Sequence, residues 1–272
     1  MTLKATILGC GSSGGVPRVG GDWGVCDPIE PKNRRTRCSL LIESWAGVKE
    51  PKIEEKTIIL VDTSPDLREQ LLGSNVRRID ALLYTHDHAD QTHGIDDLRA
   101  LAYRMRKKIP TYMDIHTHHH LSKRFDYCFE VPDGRHHPSI LEMMPLIKGG
   151  ESFIVDGPGG EVNIRSILLS HGPTPSLGFK FENKLAYSPD LRDIPDKSIK
   201  YFEDTHTWII DSLRYLEHPT HFNADRALEW LAKTRTKRGI LTNLHIDMDY
   251  KTLSNEIFGN TTVAYDGLKI IL

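Results

Sequence analysis

Leu82-Leu83-Tyr84-Thr85-His86-Asp87-His88-Ala89-Asp90-Gln91-Thr92-His93-Gly94 is an apolar run that stops abruptly and releases two histidines and an aspartate at alternate positions. Imidazole nitrogens suit zinc, manganese or iron, and a carboxylate suits a harder or shared divalent ion. A turn at a strand end can aim all three side chains into one cavity. A polar loop of solvated histidines would need neither the preceding strand nor the closing glycine, so the stretch reads as a metal site.

Outward from this stretch, β-branched and aliphatic runs predict strands at 5–8, 39–42, 57–61, 81–84, 113–116, 152–155, 162–169, 178–181, 185–188, 208–211, 239–243 and 262–264. Apolar residues three or four apart, beginning near Pro, Asp, Asn or Ser, predict helices at 65–72, 96–105, 119–125, 191–194, 224–234 and 249–258. Early strands followed by strands alternating with helices imply an α/β fold of two mixed sheets packed face to face, with helices outside. The 272 residues hold no linker, repeat or low-complexity tract and read as a single domain, 1–272. The irregular segment 11–37, rich in glycine and carrying Arg34, Arg35 and Arg37, reads as an ordered wall of the active site. Its Gly11-Ser12-Ser13-Gly14-Gly15 lacks the Gly-Lys-Ser/Thr ending of a nucleotide P-loop.

A formal charge of −2, from 35 basic and 37 acidic residues, argues against a broad nucleic-acid-coating surface. Neither a leader-like start nor a run of membrane-spanning length is present in the sequence, so a cytoplasmic protein without membrane contact is expected. Cys10, Cys26, Cys38 and Cys128 are too dispersed for a disulfide framework, and four reduced thiols are the default.

The motif resembles that of the metallo-β-lactamase superfamily, His-x-His-x-Asp-His with a glycine three residues on, except that Gln91 stands where the last histidine is expected. Further strand ends match the same pattern: Asp62 after Ile58-Ile59-Leu60-Val61, His171 after Leu168-Leu169-Ser170, Asp190 after Tyr187-Ser188-Pro189, and His245 after Asn243-Leu244. Leu8-Gly9-Cys10-Gly11-Ser12-Ser13-Gly14-Gly15-Val16-Pro17 and Leu216-Glu217-His218-Pro219-Thr220-His221-Phe222 look most like the phosphodiesterase branch that includes the phosphonate-pathway cyclic phosphodiesterase. The resemblance implies a four-layer αβ/βα sandwich and two divalent ions, Zn2+ or Mn2+. It places His86, His88 and His171 on the first ion, Asp90 and His245 on the second, and Asp190 between them. Cys26 stands alone, so the cysteine-bound structural zinc of some relatives is not carried over.

Gln91 weakens that second site, because an amide oxygen is a poorer zinc ligand than imidazole. His93 is a substitute ligand or a neighbour of the site, and Asp62 is expected to accept a hydrogen bond from a metal-bound histidine and fix its tautomer. A small phosphate ester would be hydrolysed by a metal-activated hydroxide. Asp90 takes part as both ligand and catalytic carboxylate, His221 or else His218 protonates the leaving alkoxide, and Arg214 and Arg37 bind the phosphate. His116, His118, His119 and His120 read as a solvated cluster, and Arg135-His136-His137-Pro138 as a loop that could overhang the cavity. Two other functions compete: a tRNA 3′-processing endonuclease, poorly matched by the near-neutral charge, and a nucleotide sensor whose second metal site has degraded. A homodimer is compatible with the sequence.

Overall fold

Alternation along the strands sets the layers. In the computed structural model, which describes residues 1–130 and 137–272, Leu3, Ala5 and Ile7 of β1 (Thr2–Gly9), Leu40 and Ile42 of β2 (Ser39–Trp45), and Ile59 and Val61 of β3 (Thr57–Val61) all face one buried core. The intervening Leu41, Ile58 and Leu60 face a second core under the helices Leu67–Gly73, Arg99–Met105 and Ile115–Arg124. Such period-two burial on both faces is what a sheet between two layers requires.

β4 (Ala81–Leu83), β5 (Ile109–Tyr112), β6 (Leu141–Met143) and β14 (Lys269–Ile271) complete this sheet, in the order β14-β1-β2-β3-β4-β5-β6. The second sheet runs β13-β12-β11-β10-β9-β8-β7, comprising β7 (Ser152–Val155), β8 (Val162–His171), β9 (Thr174–Phe181), β10 (Leu185–Ser188), β11 (Thr207–Asp211), β12 (Arg238–Thr242) and β13 (Thr261–Val263). Leu177, Phe179, Phe181, Leu185, Tyr187, Ile209 and Ile240 project from it into the core shared with the first sheet. Its other face, through Trp208, Ile210 and Leu241, packs on the helices Ala224–Lys233 and Tyr250–Glu256. The αβ/βα sandwich of two mixed sheets is therefore the fold.

In each sheet three antiparallel pairings are followed by three parallel ones. The C-terminal ends of β3, β4, β8, β10, β11 and β12 consequently gather along one edge, where the Leu177 N–H donates to the Thr85 carbonyl (2.9 Å) and ties one sheet to the other. Open α/β sheets carry their sites at such strand ends.

Two expected elements differ. The strand expected at 113–116 lies earlier, at β5, because the Asp114 side chain accepts from the Thr117 N–H (2.7 Å) and starts the helix Ile115–Arg124 there. Instead of a helix at 191–194, the Arg192 and Asp193 N–H groups donate to the Ser170 carbonyl (2.6 and 3.2 Å), which binds this segment to the end of β8.

Candidate metal centre

β4 ends at Leu83, and the turn that follows carries His86 and His88 to the strand-end edge, where His171 arrives as the last residue of β8. The three rings stand 4.5, 5.1 and 5.0 Å apart, centroid to centroid. His171 Nδ1 lies 2.7 Å from the Thr220 carbonyl, which can only accept, so Nδ1 holds the proton and Nε2 keeps its lone pair. That Nε2 is 3.3 Å from His88 Nδ1. Donors around a tetrahedral zinc with bonds of about 2.0–2.1 Å are spaced by about 3.3 Å.

Burial, reinforced by the neighbouring histidines, holds His86 well below the usual imidazole range; burial and His221 push His171 down to about 3. Both rings are therefore neutral, the form that binds metal. His86 Nε2 is buried with no hydrogen-bond partner, an orphaned lone pair that a cation would satisfy. The donor set fits a divalent transition metal ion held by His86, His88 and His171.

Asp62 reaches this cluster through an intermediary. The Thr85 N–H and hydroxyl donate to its two carboxylate oxygens (2.8 and 2.9 Å), and Thr85 Oγ1 lies 2.9 Å from His86 Nδ1. With its own proton given to Asp62, the hydroxyl accepts from His86 Nδ1–H, which again leaves Nε2 free. Asp62 sits at φ 62° and Asn243 at φ 63°, two left-handed residues at strand ends bordering the site. Gly94 closes the motif because a Cβ there would lie 2.0 Å from the Ser64 carbonyl oxygen.

Beside the histidines lies a carboxylate-rich half. Asp190 is 3.9 Å from His171 Nε2 and 3.8 Å from His221 Nδ1. Gln91 Nε2 donates toward Asp190 (3.3 Å) and Asp90 (3.4 Å), and its oxygen is buried without a partner. Burial, opposed by His221 but aided by Asp90 and Asp211, raises Asp190 well above the carboxylate range. His221 Nδ1 meets Asp211 Oδ2 at 2.8 Å, and Asn243 Nδ2 donates to Asp211 Oδ1 (3.1 Å). Burial lowers the His221 pKa, but Asp211, Asp190 and Asp90 outweigh it and lift the group to about 9.

A cleft of about 400 Å³ joins these groups, lined by Ser12, Ser13, Arg18, His88, Asp90, His171, Asp190, Leu213, Arg214, His218, Thr220, His221, Asn243 and His245. The segment 11–37 supplies one wall and is stitched in place: Arg35, 2% exposed, donates to the Met248 carbonyl (2.7 Å), and Asp266 accepts from the Cys10 and Thr36 N–H groups (3.1 and 2.7 Å).

Several expected residues stand differently. His245 faces the cleft, but its Nε2 contacts the Arg18 guanidinium and its Nδ1 lies 2.8 Å from Asp247. His93 is exposed, its Nδ1 3.0 Å from the Ala89 carbonyl and its ring against Phe125, and it is not among the residues lining the cleft. Arg37 pairs with Asp66 (3.0 Å) and is not among the cleft-lining residues; Arg214 lines the cleft but donates to the Leu216 and Glu217 carbonyls (3.2 and 2.7 Å). His218 lines the cleft with Nδ1 accepting from the Thr220 N–H (3.3 Å), and burial together with His221 lowers its pKa. His116 and His120 converge on Asp87 rather than standing free. Arg135 and His136 lie outside the described residues. Sequence reading passed over Thr85, Asp211, Asn243 and Arg18; Asp211 alone carried a signal, an aspartate ending an apolar strand as Asp62 does.

Residues 57–246 match the model of the beta-lactamase superfamily domain. A crystal structure of a diphosphatase from the PhnP family is 30% identical, with a TM-score of 0.86, and the match covers 100% of this chain and 98% of that one. An octanoyltransferase of Porphyromonas gingivalis is 30% identical over 99% of this chain and 52% of its own length. A ribonuclease Z of Bradyrhizobium is 32% identical over 45% of this chain and 40% of its own. The chain thus spans about half the length, or less, of these two curated relatives.

Proposed function

The chain belongs to the beta-lactamase superfamily and, within it, to the PhnP family, and from that premise we propose that this metal-dependent hydrolase cleaves a small nucleotide-like or sugar cyclic phosphodiester. The observation that carries this reading is the pairing of the three-imidazole cluster with His221, a histidine held at Nδ1 by Asp211 (2.8 Å) whose ring lies 4.6 Å from that of His171. Divalent ions bound at such a site would lower the pKa of a water and neutralise charge on phosphoryl oxygens. The protein's own residues do the rest. Asp211 orients His221 through Nδ1, so the proton available for a leaving alkoxide is on Nε2. Asp90 and Asp190 face the cleft as the carboxylates of the second half-site, and a space of about 400 Å³ admits a nucleotide-sized ester.

Octanoyl transfer is named for a relative of which this chain spans only 52%. Acyl transfer through a thiol needs an accessible thiolate, whereas Cys10 and Cys38 are fully buried, burial raises both well above the thiol range, and no cysteine lines the cleft. A nucleotide sensor remains the second reading, favoured by Gln91 donating toward both carboxylates of the second half-site. Among the described residues no helix is long and apolar enough to cross a membrane; a cytoplasmic location is part of our proposal.

The test is metal analysis joined to a screen of cyclic and linear phosphodiesters and bis(p-nitrophenyl) phosphate. Two ions bound at the cleft, with turnover, support the enzyme. One cleft ion or none, no turnover and tight mononucleotide binding would replace it with the sensor.

A further inference from the structure

The helix Ile115–Arg124 carries His116 and His120 four residues apart, which puts both on one face. That face meets the back of the metal motif. Asp87 lies between His86 and His88 in sequence, yet its carboxylate turns away from their cluster: Oδ1 is 3.6 Å from His116 Nε2 and Oδ2 is 3.9 Å from His120 Nδ1. The two imidazole centroids are 4.6 Å apart, and one donor atom from each of the three residues lies within 4.8 Å of the others. A tetrahedral ion with bonds of about 2.0–2.1 Å needs donors spaced by about 3.3 Å. Small side-chain rotations on the exposed helix face close that difference.

We propose that Asp87, His116 and His120 form a peripheral binding site for a zinc-type divalent transition metal ion, separate from the three-histidine cluster. Two imidazoles with one carboxylate select zinc, cobalt or nickel over magnesium or calcium, which prefer oxygen donors. The Asp87 side chain is 7% exposed and both histidines 38%, so the set has a buried anchor and an open side where water completes the coordination. Arg124 shapes the site: it donates to Asp87 Oδ2 (3.0 Å) and to the Asp87 carbonyl (2.6 Å), which orients the carboxylate with Oδ1 toward His116. Its positive charge also opposes the ion. Of the other two histidines of the helix, His118 is turned against Phe129, while His119 packs edge-on against His120 (5.4 Å between centroids) with its Nε2 toward Lys123. An ion here would brace the segment that carries His86 and His88 from behind.

Equilibrium dialysis of the full chain against Zn2+, followed by metal analysis, tests the assignment. The double variant His116→Ala/His120→Ala is expected to bind one Zn2+ fewer than the wild type, whereas His118→Ala/His119→Ala keeps the full complement. Both pairs are on an exposed helix surface, and thermal unfolding of the dialysed proteins checks that each has folded. In the wild type, Zn2+ should shift the imidazole resonances of His116 and His120 while that of His118 stays in place. Equal zinc content in the wild type and His116→Ala/His120→Ala, or an equal loss from both double variants, would overturn the site.

Discussion

Gln91 Nε2 lies 3.3 Å from Asp190 Oδ2 and 3.4 Å from Asp90 Oδ2, so a buried amide donor occupies the gap between two carboxylates that would otherwise be free to share a cation. The donor consumes lone pairs that a second ion would use, while the Gln91 oxygen is left without a partner. A cation arriving between the carboxylates would favour the opposite orientation, oxygen inward, because an amide can present either end. If a second ion binds there, Gln91 would set its affinity.

Gln91→His replaces that amide with an imidazole lone pair, and imidazole binds zinc better than an amide oxygen does. The expected outcome is tighter uptake of the second ion and a shift of preference toward zinc. Competitive titration with Zn2+ and Mn2+ measures both; no change in stoichiometry or affinity would show that Gln91 does not govern this half-site.

Removing a histidine from the first cluster acts more severely. His86→Ala and His171→Ala each delete one of three donors, and each variant is expected to lose the first ion with nearly all hydrolysis. Full metal content with unchanged turnover in either variant would reject the ligand assignment.

Thr85→Val tests the relay between Asp62 and His86. The methyl group keeps the shape of the side chain but takes away the hydroxyl that orients His86 Nδ1, leaving the Asp62 carboxylate short of one donor. Loss of such an outer partner typically weakens metal affinity about 10–100-fold. Metal-buffer titrations that give the wild-type affinity would place the control of His86 elsewhere.

The histidine motif was legible in the sequence because it follows an apolar strand, with His86 and His88 in the turn after β4 and His171 at the last position of β8. His86 and His88 could be named by their own motif, whereas His171 and Asp190 could be named through the resemblance to the metallo-β-lactamase superfamily, whose pattern their positions match. Thr85 could not, since a threonine before a histidine has no periodic signature and its role depends on a buried carboxylate 23 residues upstream. Arg37 and His93 illustrate the converse. Their residue types suit the chemistry, but Asp66 holds the first and the Ala89 carbonyl orients the second, pairings fixed by the fold.

Metal-free protein should show a pH dependence that belongs to His221. Its pKa is about 9 in the fold against an ordinary 6.5, so the folded state holds the proton more tightly than the unfolded chain. The stabilisation is fully present below the unfolded value and is lost as pH rises through the folded one. The stability difference between the wild type and His221→Gln, measured by urea unfolding, should therefore shrink across the interval from 6.5 to about 9. A difference that stays constant over that interval would mean that His221 does not carry the raised pKa.

His221 also bears the last expectation, which concerns its proton. Asp211 occupies Nδ1, leaving Nε2–H as the atom that can protonate a departing alkoxide. Loss of a general acid costs about 10²–10⁴-fold in rate when the leaving group is poorly activated. A p-nitrophenolate departs without a proton, so His221→Ala should slow a cyclic nucleotide far more than it slows bis(p-nitrophenyl) phosphate, with the metal content unchanged. Asp211→Asn should show the same contrast in weaker form, because the imidazole loses the anion that orients and charges it. Equal slowing of both substrates by His221→Ala would make His221 a phosphate-positioning group instead. If the contrast appears only in His218→Ala, the acid is the neighbouring histidine, whose ring lies 5.1 Å from that of His221.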